Sequence, residues 1–317
     1  MTSPPEPASS SPDDGEGPFR PLIFGEALFD HFPDGSRVLG GAPFNVAWHL
    51  RGLGGDPLLV TAVGRDEEGR EILARMEEWG MDTSGVQVHP RRPTGRVEAR
   101  TRDGEVTYEI EGGQAYDAVT QSGLPPSEVL RDVDLLYHGT LALREETSRK
   151  TLEHLRETLL RPVLLDVNLR DPWWSPEEVH SMLARAEWVK MNREEASLLG
   201  TVDVEKRDDL LEAGRSLQNH WEIRHLVVTL GSRGALGLDA REAVWEEAPE
   251  VTEMVDTVGA GDAFSTVLAL GIHGGWGLST ILRRATEFAA DLCRIQGAVP
   301  DDPALYETHL ERWSHVS

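Results

Sequence analysis

Asp256-Thr257-Val258-Gly259-Ala260-Gly261-Asp262 is followed at once by an apolar run over residues 263–272. Small residues between two carboxylates let a backbone turn approach a ligand closely. The run after them reads as a helix, so the amides of Gly259, Ala260 and Gly261 fall at a helix N-terminus. Free N–H groups and the positive end of the helix dipole make such a place an anion site. Asp262 then sits in the first turn, beside whatever anion is held. Two readings follow. Asp262 complements the dipole and nothing more, or it takes a proton from a hydroxyl that attacks a phosphoryl group.

Working outward, the chain alternates strand and helix patterns. Residues 22–32 are largely apolar and read as strand material, with Gly25, Glu26 and Asp30 set into them. Pro43 opens a helical pattern in which Val46, Leu50 and Leu53 share a face, and Gly54-Gly55 stop it. Residues 58–63 read as a strand. Residues 68–79 read as an amphipathic helix, with Ile72, Leu73, Met76 and Trp79 on one side. From Thr94 the period becomes two, and Asp103-Gly104 is a hairpin turn signal before Val106, Tyr108 and Ile110. Four apolar segments follow, at residues 133–137, 163–167, 188–191 and 225–230, separated by helical patterns. This order predicts an α/β fold with a parallel sheet wrapped on both faces.

In an open parallel sheet, ligands bind beyond the carboxyl ends of the strands. Unusual polar residues cluster there: Asp166, Asn168 and Arg170 after one strand, Asn192 and Glu195 after the next, and Thr229, Gly231 and Gly234 after a third. Arg170 suits phosphate charge. Asn192 and Glu195 offer oxygens, directly or through water, to the Mg²⁺ of a nucleotide triphosphate; Asn192 as a simple helix cap is the alternative. Thr229 and Gly231 suit close approach by a nucleotide. Near the other end, Gly40-Gly41 and Asn45 put a flexible turn and an amide beside a polar ligand. Glu26 and Asp30 can accept hydrogen bonds from sugar hydroxyls, or mark a solvated strand edge.

Other motifs are missing. None of the three lysines lies in a Gly-x-x-x-x-Gly-Lys-Ser/Thr loop, which excludes a P-loop NTPase. No early Gly-x-Gly-x-x-Gly, Gly-x-Ser-x-Gly or His-Glu-x-x-His is present, which argues against a dinucleotide dehydrogenase, an α/β-hydrolase and a zinc protease. A net charge of −24 disfavours nucleic-acid binding. One cysteine, Cys293, excludes an intrachain disulfide and fits a reducing compartment. No run reaches the roughly 18 apolar residues of a membrane span. The Pro/Ser-rich residues 1–18 read as a disordered tail without signal-peptide character, which leaves a cytoplasmic protein as the expectation.

Two segments resemble the PfkB (ribokinase-like) family of carbohydrate kinases: Gly40-Gly41-Ala42-Pro43-Phe44-Asn45-Val46-Ala47 with Leu50 and Leu53-Gly54, and Asp256 through Phe264. Gly25-Glu26 through Asp30 and Pro33, Asp166-Val167-Asn168-Leu169-Arg170 with Trp174, and Cys293 through Gly297-Ala298 are similar to its bacterial fructokinase branch. The resemblance implies a ribokinase-like three-layer α/β/α sandwich over residues 19–317, with a mainly parallel central sheet and a small β lid near residues 26–38 and 94–113. It implies ATP-dependent phosphorylation of a primary sugar hydroxyl, with D-fructose going to fructose 6-phosphate. Kinases of 2-keto-3-deoxygluconate, ribose and nucleosides share these motifs, and a non-catalytic sugar-binding protein is the distant alternative. By analogy Asp262 is the base, and the Gly259, Ala260 and Gly261 amides stabilise the transferring phosphoryl group. Glu26, Asp30, Gly40, Gly41, Asn45, Arg96 and Asn168 would bind the sugar together with Asp262, and Arg96 and Gln114 in the lid would help choose it. Arg170, Asn192, Thr229, Gly231, Gly234, Gly259 and Gly261 would bind ATP. Asn192 and Glu195 would organise Mg²⁺ through water. Asp256 would help hold a monovalent cation such as K⁺. A homodimer through the lid is a further implication, with neither nucleic acid nor membrane as partner.

Overall fold

The computed structural model describes residues 18–102, 105–200 and 207–314. Most of the expected tail and the Asp103-Gly104 turn lie outside them. In chain order the elements are β1 (Pro21–Phe24), β2 (Leu28–His31), β3 (Arg37–Gly40), α1 (Ala42–Gly52), β4 (Leu58–Gly64), α2 (Glu67–Glu78), β5 (Val86–His89), β6 (Gly95–Arg102), β7 (Glu105–Ile110) and α3 (Ser127–Arg131). There follow β8 (Leu135–His138), α4 (Glu146–Leu159), β9 (Val163–Asp166), α5 (Pro176–Leu183), β10 (Trp188–Asn192), α6 (Arg193–Gly200), α7 (Arg207–Trp221) and β11 (His225–Thr229). The chain ends with β12 (Ala235–Leu238), β13 (Ala243–Glu246), α8 (Ala260–His273), α9 (Leu278–Leu292) and α10 (Pro303–Ser314).

Two compact units are formed. Among the described residues, the first gathers those within 18–133, 142–160 and 297–314; the second gathers those within 134–141 and 161–296. In the second, β8, β9, β10 and β11 run parallel, side by side, and β12 and β13 add antiparallel strands at one edge. β9 is buried along its whole length, as a parallel strand covered on both faces must be. In the first unit β1, β4 and β5 are parallel, and a separate four-stranded sheet has the order β3-β2-β6-β7. That small sheet is assembled from the two segments expected to form a lid.

The strand material of residues 22–32 divides into two strands, β1 and β2, in different sheets. The break falls at Gly25 and Glu26, and a β-carbon on Gly25 would collide with the Pro43 ring. β1 is buried along its whole length, whereas β2 is buried only at Leu28 and Phe29.

The first unit closes on aromatic rings. Trp48 and Trp79 stack with centroids 4.8 Å apart and 2° between planes. Trp48 Nε1 donates to Pro300 O at 2.8 Å, and His49 Nδ1 lies 3.0 Å from Tyr306 Oη. A buried Arg144–Asp117 ion pair, bidentate at 2.7 and 2.8 Å, pins the segment after β7. Such planar two-point pairing fixes orientation as well as charge. Among the described residues no helix is long and apolar enough to cross a membrane.

Candidate active site

The helix after the quoted stretch is α8, and Gly259 is its N-cap residue at φ 80°. That conformation is strained for any residue with a β-carbon, so glycine is required here. The amides of Ala260, Gly261 and Asp262 follow in the first helical turn, where they have no carbonyl of their own helix to bond; Ala260 N–H donates to Thr257 O at 3.3 Å. Asp262 occupies that turn, half-buried. Asp256 stands just before it: its N–H donates to Cys293 O at 3.2 Å and its Oδ1 accepts from Val258 N–H at 3.0 Å.

Beneath the turn lies a group the sequence reading passed over. Lys190, in the middle of β10, is 6% exposed. Its register partner on β9 is Asp166, and Nζ sits 3.1 and 3.0 Å from the two Asp166 carboxylate oxygens. A β-carbon on Gly261 would come within 3.3 Å of that Nζ. Ser265, one turn into α8, places Oγ 2.8 Å from Asp166 Oδ2 and 3.0 Å from Gly261 O. Tyr137 Oη donates to Asp166 Oδ2 at 3.3 Å. Burial alone would lower the Lys190 ammonium. The charges of Asp166, Glu195 and Asp262 more than offset it and hold the group above its ordinary value.

Asn192 and Glu195 form a reciprocal cap on α6. Glu195 N–H donates to Asn192 Oδ1 and Asn192 N–H to Glu195 Oε2, both at 2.8 Å. This is the capping-box arrangement, with Asn in place of Ser or Thr. Glu195 Oε1 also accepts from Leu169 N–H at 2.8 Å, so this carboxylate ties β9's exit to β10's. Burial pushes it above the usual carboxylate range, against those backbone donors, which favour the ionised form. Asn168 holds a left-handed φ of 38°, and Arg170, two residues on, is exposed. Thr229 pairs with Asn192 in register at the ends of β11 and β10. Gly231 and Gly234 flank the short turn after Leu230. The residues expected at ATP thus end or follow β9, β10 and β11 in the second unit or lie at the N-terminus of α8.

Of the residues expected at the sugar, the first unit carries Glu26, Asp30, Gly40, Gly41, Asn45 and Arg96, while Asn168 and Asp262 belong to the second. Gly41 caps α1 at φ 104°, and a β-carbon there would meet Glu26 O at 2.6 Å. Glu26 and Asn45 are buried, which removes the solvated-edge reading of Glu26. Gly40 borders Asp30: its absent β-carbon would lie 3.4 Å from Asp30 Oδ2. Register puts Arg96 on the opposite face of the small sheet from Asp30. Phe29 pairs with Arg96 and Asp30 with Val97, and alternate residues of a strand face opposite ways. Arg96 therefore leaves Asp30's face and lies 2.8 Å from His31 Nδ1. With Gln114, Arg37, Asp66, Glu68 and Thr94 it lines a cavity of about 340 Å³.

The pfkB family carbohydrate kinases match the chain over residues 25–305. A fructokinase of Klebsiella pneumoniae is 30% identical over 269 residues, covering 80% of this chain and 84% of its own. The crystal structure of a Vibrio cholerae O395 fructokinase with fructose, ADP and calcium bound has a TM-score of 0.76 at 25% identity, covering 91% and 98% of the two chains. An Arabidopsis thaliana ribokinase complexed with ribose and ATP has a TM-score of 0.77 at 19% identity, covering 93% and 99%, a likeness of fold alone. The fold is the expected ribokinase-like α/β fold with mainly parallel sheet.

Proposed function

Because the chain belongs to the pfkB family of carbohydrate kinases, we propose that it transfers the γ-phosphoryl group of ATP to a primary hydroxyl of a monosaccharide, D-fructose first. The observation that carries the reading is the Gly259–Asp262 turn, a carboxylate set among helix N-terminal amides above a buried lysine. Asp262 accepts the hydroxyl proton as the sugar oxygen bonds to phosphorus. The bond from phosphorus to the bridging oxygen breaks, and ADP leaves with that electron pair. The Ala260 and Gly261 amides donate to the phosphoryl oxygens as their charge grows, the kind of preorganised donor that dominates such catalysis. Arg170, Thr229, Gly231 and Gly234 hold the nucleotide. Glu26, Asp30, Gly40, Gly41, Asn45 and Asn168 hold the sugar, while Arg96, on the other face of its sheet, acts on specificity through the cavity it shares with Gln114.

The donor set fits a hydrated Mg²⁺. Each Glu195 oxygen accepts one backbone N–H and keeps a lone pair for a metal-bound water, as does Asn192 Oδ1, and Mg²⁺ usually retains several waters. When bound, the ion offsets charge on the β- and γ-phosphates. Asp256 would hold a monovalent cation. Glu195→Gln is expected to raise the Mg²⁺ concentration for half-maximal rate about tenfold, near the low end for residues that support a metal, with sugar KM unchanged. A titration that superimposes on wild type removes Glu195 from the metal site.

The reading as a whole is tested by ADP formation with Mg²⁺ and K⁺ present, across fructose, glucose, mannose, ribose, 2-keto-3-deoxygluconate and adenosine. Preference for fructose is the expected result. Preference for another acceptor keeps the chemistry and replaces the substrate; turnover of none overturns the kinase reading.

A further inference from the structure

Lysine is rare in this chain: three against a basic total of 31. One of the three is buried in the central strand β10, where an apolar side chain would cost less. A buried ion pair is seldom a net source of stability, since desolvation of both charges opposes their attraction. The position of this pair matters more than its strength. Lys190 and Asp166 form a dipole, and its positive end lies under Gly261, at the second residue of α8. Both Nζ contacts on the Asp166 side go to one carboxylate, and Ser265 Oγ, lying between Asp166 Oδ2 and Gly261 O, ties the same carboxylate to the turn.

We propose that Lys190 is a positioning residue of the phosphoryl-transfer site, holding the Gly261 backbone at a fixed height and placing a permanent positive charge beneath the γ-phosphoryl group. The inference rests on the kinase reading above. A cation in a water-poor site acts on nearby charge far more strongly than in bulk water, and one locked by a carboxylate needs no rearrangement when the phosphoryl group arrives. Its field favours an anion in the turn. The sugar, held by other residues, is not affected.

The test is the double variant Lys190→Met/Asp166→Asn, which removes both charges and leaves Tyr137 and Ser265 an acceptor. Expected are a kcat about 10- to 100-fold lower, sugar KM within twofold of wild type, and unchanged affinity for ADP with Mg²⁺. ADP with beryllium fluoride, which mimics the γ-phosphoryl group, is expected to bind about tenfold more weakly by calorimetry. A folded double variant with wild-type kcat and wild-type beryllium fluoride affinity overturns the inference. If it does not fold, Lys190→Arg serves: it keeps the charge but moves it from under Gly261, and the same losses are expected, with unchanged values overturning the inference. Wild-type protein that phosphorylates none of the sugars overturns the kinase reading instead. The beryllium fluoride comparison then decides Lys190 separately, equal affinities counting against it.

Discussion

Asp262→Asn is expected to lower kcat by about 10²–10⁴, the usual contribution of a general base, while sugar and ATP still bind. The substitution changes one atom and keeps the side chain's size, so the turn retains its shape. It separates the two readings of Asp262 by giving them different observables. A residue that only complements the dipole of α8 affects stability by roughly 0.3–1 kcal/mol and leaves turnover intact. A base affects turnover first. Steady-state kinetics with urea unfolding on the same protein reads both, and near-normal kcat with slightly lower stability would assign Asp262 to the helix alone.

The second large effect concerns stability. His49 is fully buried in the first unit, and burial pulls its pKa from 6.5 down to about 3, against a backbone hydrogen bond at Ala298 that favours the charged form. The imidazole is therefore neutral in the folded protein across the usual pH range. Below pH 6.5 the unfolded chain binds a proton that the folded chain refuses, so stability falls as pH drops towards 3. At about 1.36 kcal/mol per pH unit, the whole window is worth on the order of 5 kcal/mol, and about 2 kcal/mol is lost by pH 5. His49→Gln is expected to be less stable at pH 7, where it disturbs the contact with Tyr306. It is also expected to lose about 2 kcal/mol less than wild type between pH 7 and pH 5. Urea midpoints at the two pH values measure this, and parallel slopes for the two proteins would show that His49 does not carry the acid sensitivity.

Much of this architecture is legible in the amino acids because it depends on local signals. The strands at β8 to β11 announce themselves as apolar runs between amphipathic helices, and the Gly259 turn by composition. The β6–β7 pairing follows from strict alternation. What escapes is set by tertiary contacts. The split between β1 and β2 depends on which sheet each half joins. Arg96 leaves Asp30's face through a register that no spacing within one strand reveals. Lys190 looks like an interruption in an apolar strand until β9 is laid beside it and Asp166 becomes its partner. The only signal in the sequence was a rare lysine amid buried neighbours, followed three residues after Asn192 by Glu195, a spacing that fits a cap as well as a metal site.

The first unit is stitched from three stretches of chain, and the last supplies Pro300, Tyr306 and Trp313 to its interior. During synthesis the stacked pair of Trp48 and Trp79 is made long before these partners emerge from the ribosome. The second unit, complete by residue 296, has all its strands in hand earlier. The unit that carries Glu26, Asp30 and Asn45 thus waits for α10, and a nascent chain stalled before residue 300 would leave Trp48 without its Pro300 acceptor and the Trp48–Trp79 stack without Tyr306.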